Sequence, residues 1–276
     1  MAKIGKTNEL EIAREVDFGF YLKDDEGNEI LLPQKYATED MKIGDKISVF
    51  VYKDSEDRPV ATTEKPKAEV GQFAFLQVNA VNEIGAFLDW GLIKDLLVPF
   101  REQKVRMVKG RFYTVFLYLD DQTERVVASA KINKFLDNKI PDLKPHDTVS
   151  IRIVQRTDLG FKVIVNNLFS GMIYHNEIFS PVNIGEVHPA IVKTIRKDDK
   201  IDLIIGKHVK SRVDELAEEI GTILDQQGGT LSLNDSSSPE DIKEVLHCSK
   251  KDFKKAVGLL LKSKKIEITD TGIKSI

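Results

Sequence analysis

The sequence predicts a multidomain, mainly β chain: three tandem five-stranded barrels followed by a small α+β domain. Three observations carry that expectation. A glycine-led pair of short apolar strands occurs three times. Each copy is followed by a glycine-led fourth strand that meets a fifth through a polar, acidic turn. From Val209 onward the apolar residues switch to helical spacing.

The middle copy is the clearest. Ile84-Gly85-Ala86-Phe87-Leu88-Asp89-Trp90-Gly91 gives a glycine, a short apolar strand and a turn, and Asp95-Leu96-Leu97-Val98-Pro99-Phe100 gives the next strand. Looser copies are Asp17 to Leu22 with Ile30 to Pro33, and Leu159 to Val163 with Gly171 to His175.

Taken in order, Met1 to Thr7 reads as an arm. Ile4-Gly5-Lys6-Thr7 imitates the end of a phosphate-binding loop but lacks the upstream glycine, the strand and the buried helix that such a loop needs. Strands follow at Leu10 to Ala13, Gly19 to Lys23, Glu29 to Leu32, Lys46 to Tyr52 and Pro59 to Thr63. Lys65-Pro66-Lys67 reads as a linker. The second copy has strands ending at Val81, then Gly85 to Trp90, Asp95 to Pro99, Arg111 to Leu119 and Arg125 to Ala130. In the third, Val149, Ile151 and Ile153 alternate with Ser150 and Arg152, a half-buried strand that places Arg152 outward. The Gly160 and Gly171 strands, Ala190 to Arg196 and Ile201 to Gly206 complete it. The expected domains are 1–64, 65–142, 143–207 and 208–276.

The last segment reads as helix, short strand, helix, helix and hairpin. Val213, Leu216, Ala217, Ile220, Ile223 and Leu224 form a helical stripe that Gly228-Gly229 stops. Ser238-Pro239-Glu240-Asp241 is a helix start with proline at the first helical position. Ser249 and Asp252 begin a third helix with the stripe Phe253, Val257, Leu260 and Leu261. Lys265 to Thr269 and Ile273 to Ile276 form the hairpin, and the whole reads as a winged helix.

Five strands in each of three short segments, with a longer connection between the third and fourth, is the order of an OB-fold barrel. Apolar-Gly-Ala-Phe, then Asp-x-Gly, an apolar triplet and a glycine-led hairpin resembles the S-one RNA-binding domain. The match runs through Ile84-Gly85-Ala86-Phe87 and Asp89-Trp90-Gly91. Ile84 stands where that family usually has an aromatic. Three S-one-like barrels before a winged helix resemble the bacterial conserved virulence factor B family. The resemblance implies RNA binding, an effect on gene expression and no catalysis.

Composition sets limits on this reading. The 276 residues are 41% hydrophobic and 31% charged, with a net charge of −3, so any basic surface must be local. Residues 1–65 hold 10 Lys/Arg against 15 Asp/Glu, which makes the first barrel the least suited to a polyanion. No apolar run approaches the roughly 18 residues of a membrane span. A lone cysteine, Cys248, suits a reducing cytoplasm, the expected location.

Single strands are held by rings that stack bases and by cations that follow phosphates. The middle barrel nominates Phe87, Trp90 and Phe100, with Arg101, Lys104, Arg106 and Lys109 in the loop that follows. Phe87 has a second reading, as barrel core. The third barrel adds Phe161, Tyr174 and His175, with Arg152, Arg156, Lys162, Lys193, Arg196 and Lys197. On the third helix, Lys251, Lys255 and Lys262 share a side with Gly258, either as a groove-reading face or as a solvated one. The acidic pairs Asp24-Asp25, Asp120-Asp121 and Asp198-Asp199 read as turns, where aspartate bonds its own backbone.

Two function classes follow. One is a non-catalytic RNA-binding regulator whose partner is single-stranded RNA, with DNA a further partner of the winged helix. The other is an adaptor that docks on a ribosome, a polymerase or an RNA-processing enzyme. Neither calls for a cofactor, a metal or a membrane.

Overall fold

A computed structural model of the chain describes residues 1–137, 142–178, 181–196, 200–205, 212–263, 265–269 and 271–276. It divides into two compact units. One spans Met1–His188 with Val192–Leu203, the other Pro189–Ile191 with Ile204–Ile276.

The first barrel is built from β1 (Lys6–Val16), β2 (Gly19–Lys23), β3 (Glu29–Pro33), β4 (Lys46–Lys53) and β5 (Pro59–Thr62). The second has β6 (Phe73–Val81), β7 (Gly85–Asp89), β8 (Leu96–Pro99), β9 (Phe112–Leu119) and β10 (Val126–Ser129). The third has β11 (Thr148–Arg156), β12 (Gly160–Val165), β13 (Phe169–Tyr174), β14 (Val187–Ile195) and β15 (Ile201–Ile205). All three close with the order first, second, third, fifth, fourth. The third and fifth strands run parallel, as in Leu31 beside Val60, Leu97 beside Val127 and Gly171 beside Ile201. Closure leaves no free strand edge to recruit other chains.

The glycine that opens the second strand has a steric cause. A Cβ at Gly19, Gly85 or Gly160 would lie 2.1, 2.3 or 1.9 Å from the carbonyl oxygen of Leu32, Val98 or Ile173 on the neighbouring strand. Only a residue without a side chain lets the two backbones pair there. The first strand of each barrel also carries a register shift, between Ile12 and Arg14, Val78 and Ala80, and Ile153 and Gln155. Such an irregularity bends a strand, so one long strand can pair with the second strand at one end and the fourth at the other.

Met1 to Thr7 is not a free arm. Lys6 and Thr7 already pair in β1 with Val51 and Phe50. The Met1 amine lies 2.9 Å from Glu26, and Ala2 N donates to Asp24. Gly5 is buried under Val70 of the second barrel, where a Cβ would sit 2.2 Å from Val70 Cγ2. The linker residue Lys67 is likewise held, its N donating to Trp90 O at 2.7 Å.

The C-terminal domain comprises α1 (Arg212–Gln226), β16 (Thr230–Leu231), α2 (Pro239–Leu246), α3 (Lys250–Lys262), β17 (Ile266–Thr269) and β18 (Gly272–Ser275), with sheet order β16-β18-β17. Leu216, Ala217, Ile220 and Leu224 of α1 join Phe253, Ala256, Val257 and Leu260 of α3 in one core. The third-helix stripe therefore follows i, i+3, i+4, i+7 and includes Ala256. Leu261, expected in the stripe, is exposed. Ser238 and Asp241 form a reciprocal capping box with Pro239 at the first helical position, and Ser249 Oγ accepts from Asp252 N. No described helix is long and apolar enough to cross a membrane.

Candidate nucleic-acid interface

On the second barrel, Ala86 and Leu88 point into the core while Phe87, between them, is half-buried on the outer face. The core reading of Phe87 therefore does not hold. Phe100 opens a short 3-10 turn after β8, and the Arg106 guanidinium lies 3.8 Å from its ring centroid. Arg101 is tied to Asp120 at 3.1 Å. Glu102 is buried and accepts from Lys134 at 2.6 Å. Burial works against its charge, yet the hydrogen bonds from Lys134 and Ser129 prevail and hold its pKa below the usual range. Lys104, Arg106 and Lys109 remain exposed on the loop with no carboxylate partner among the described residues.

Trp90 is a correction. It is only 3% exposed, stands edge-on to Phe50 of the first barrel, and donates from Nε1 to Lys94 O at 2.5 Å. A ring enclosed on this side has no face left for a base. The apolar body and the satisfied N–H make it a joint between barrels.

On the third barrel, Phe161 meets His175 edge-on at 5.9 Å. His175 Nε2 lies 3.2 Å from Thr157 O, so that nitrogen carries the proton, because a carbonyl only accepts. The Tyr174 hydroxyl accepts from Arg196, which also pairs with Asp202 at 2.9 Å. Lys193 pairs with Glu177. Arg152, expected outward, is half-buried and donates to Gly185 O at 3.0 Å, and burial pushes its pKa down. Arg156 and Lys162 are exposed. Lys197 and the Asp198-Asp199 turn lie outside the described residues.

The second and third barrels enclose a cleft of about 840 Å³. The outer face of β6 and β9 supplies Phe75 and Phe112, stacked with ring centroids 5.4 Å apart. Lys104, Lys131, Lys134 and Lys162 border the cleft, and no carboxylate among the described residues lines it. Lys134 is the one already paired with Glu102. Thr114 belongs to the same wall, and its hydroxyl is buried without a hydrogen-bond partner. A Cβ at Gly185 would lie 1.9 Å from Phe75, so this glycine lets the third barrel seat against that ring.

The cleft thus unites Lys104 and Lys162, nominated on separate barrels, with Phe75, Phe112, Lys131 and Lys134, which the sequence reading missed. A signal for the rings was present. Along β6 the core takes Ala74, Leu76 and Val78, and along β9 it takes Val115 and Leu117. Phe75 and Phe112 fall in the opposite phase and must face outward.

On α3, Lys251, Lys255, Gly258 and Lys262 are exposed along one side, and a Cβ at Gly258 meets nothing within 4 Å. Asp24 and Asp120 are turn residues as expected. Asp24 accepts from Ala2, Glu26 and Asn28, and Asp120 from Gln122 and Thr123. Among the described residues no group of three or more His, Cys, Asp or Glu is placed to hold a metal.

Comparison with known proteins accords with these features. The family model "S1 domain" matches residues 4–64 and 70–131, and "CvfB-like winged helix domain" matches 218–274. The chain is therefore one of the multidomain proteins built from S1 and winged-helix domains, which are binding domains of the nucleic-acid type and not enzymatic families. It is 28% identical over 289 residues to conserved virulence factor B of Staphylococcus aureus (strain USA300), covering 98% of this chain and 92% of the relative. It is 27% identical over 270 residues to the uncharacterized protein YitL of Bacillus subtilis (strain 168), covering 95% and 90%. A crystal structure of a multidomain protein with nucleic acid binding domains from Streptococcus pneumoniae TIGR4 is 25% identical, with coverage of 99% and 98% and a TM-score of 0.41. By domain content and order, the chain belongs to the conserved virulence factor B family.

Proposed function

We propose that the protein is a non-catalytic, cytoplasmic RNA-binding regulator of gene expression that holds single-stranded RNA along its second and third barrels. The observation that carries this reading is the set of exposed cations Lys104, Arg106 and Lys109, without a carboxylate partner among the described residues, on the loop that follows Phe100. Arg106 lies over the half-buried Phe100 ring, and Phe87 is half-buried on the outer face of the same barrel. Rings stack bases of any sequence, and cations follow the phosphates. The relatives' name, conserved virulence factor B, is compatible with a regulatory role.

The test is a labelled single-stranded oligomer titrated at two salt concentrations, with duplex DNA as competitor. Micromolar or tighter binding that weakens steeply with salt supports the reading. Absence of binding at low salt removes it. So does unchanged binding by a protein carrying Phe87→Ala, Phe100→Ala and Lys104→Ala together.

A second reading, a protein-docking adaptor, is favoured by the third barrel. There Lys193 and Arg196 are already paired with Glu177 and Asp202, which leaves fewer free cations for phosphate. Capture of ribosomal or RNA-processing proteins by a chain that binds no RNA would favour it.

A further inference from the structure

We propose that the cleft between the second and third barrels is a pocket for one unstacked RNA base, with the neighbouring phosphates on the lysines at its rim. This rests on the RNA-binding reading and adds a second site that shares Lys104 with it. The cleft is formed by the outer face of β6 and β9, whereas Phe87 lies on β7.

Four features fit that occupant. The volume of about 840 Å³ falls within the roughly 300–1,000 Å³ of small-ligand pockets, ample for a base and its sugar. Phe112 is 51% exposed although it is a large apolar ring, and Phe75 stacks on it. A planar base laid on Phe112 would extend that stack. Lys104 and Lys162 border the ring wall with no carboxylate among the described lining residues to neutralise them, which favours an anion close to the aromatic surface. Apolar walls beside unbalanced cations suit a base with its phosphates better than a purely apolar or an acidic peptide segment. Finally, the edge of a base needs hydrogen-bond partners. The wall holds the exposed amides of Asn133 and Gln155.

The test uses the full chain and a single-stranded RNA carrying 2-aminopurine at each position in turn. Emission from this base analogue responds to the stacking of that base alone. The expected result is a distinct emission change at one position of the bound strand. Phe112→Ala should abolish it and weaken binding about tenfold. Lys162→Glu, on an exposed side chain, should weaken binding without unfolding the chain, as checked by its thermal melt.

If the strand binds but no position responds, or if Phe112→Ala and Lys162→Glu both leave the affinity unchanged, the pocket assignment is overturned and the RNA-binding reading survives. If the strand does not bind at all, both fail. Adenosine monophosphate is the third arm. If it fills the cleft as tightly as the strand does, and Phe112→Ala abolishes that binding, the occupant is a free nucleotide and the strand assignment is overturned.

Discussion

Phe50 of the first barrel stands edge-to-face with Trp90 of the second, ring centroids 5.6 Å apart at 82°. Phe50 belongs to the second barrel's core, together with Leu88, Leu96 and Val98. Two barrels that repeat in sequence are therefore joined by a shared apolar cluster. Polar ties surround it, among them Lys53 to Glu124, Arg125 to Asp57 and Thr7 to Glu69.

This joint makes a stability prediction. Phe50→Ala removes a fully buried ring and should cost about 3–5 kcal/mol. Calorimetry should show the barrels melting earlier. RNA affinity measured well below the melt should stay within about twofold, because neither ring lies on the proposed path.

Two glycines predict opposite signs. Gly85→Ala forces a Cβ to within 2.3 Å of Val98 O and should destabilise by roughly 1–3 kcal/mol or more, since overpacking against backbone has little room to relax. Gly258→Ala, inside α3 with open space around it, should stabilise by about 0.8–1 kcal/mol. Urea denaturation of both variants checks the pair.

The basic loop predicts a change of slope. Lys104→Ala with Lys109→Ala removes two phosphate contacts, each contributing about 0.7 to the dependence of log affinity on log salt for a single strand. The slope should become shallower by about 1.4, read from titrations at several salt concentrations.

Acid stability follows from Glu186. Hydrogen bonds from Asn183 and His188 hold its pKa down from 4.5 to about 2. The folded state thus binds this proton less readily than the unfolded chain. The stabilisation is fully present above about 4.5 and is lost as pH falls through the folded value near 2. Glu186→Gln should reduce the loss of stability between pH 5 and pH 2.5, measured by urea midpoints.

The barrels were legible because their signals are local. Glycine at the start of the second strand answers to a single carbonyl, and period-two alternation fixes which residues face inward. The winged helix was legible through its caps, Ser238 with Asp241 and Ser249 with Asp252. What stayed hidden depends on contacts between barrels. Nothing near Trp90 in sequence reveals Phe50, forty residues earlier, so a conspicuous aromatic read as a stacking surface. Arg152 has the phase of an outward residue, but Gly185 and the packing around it draw it in. The cleft needed both barrels in place before Lys104 and Lys162 could be seen together. Met1 to Thr7 read as an arm because the partner that buries Gly5, Val70, comes from the next barrel.

The chain has a single tryptophan, and it sits at the junction of the first two barrels. Its intrinsic fluorescence is therefore an optical gauge of that junction. A red shift would report water reaching the seam, whether the barrels part under denaturant, under force or on engaging a partner. With the base pocket read separately by a nucleic-acid fluorophore, opening of the seam and loading of the strand can be timed independently in one sample.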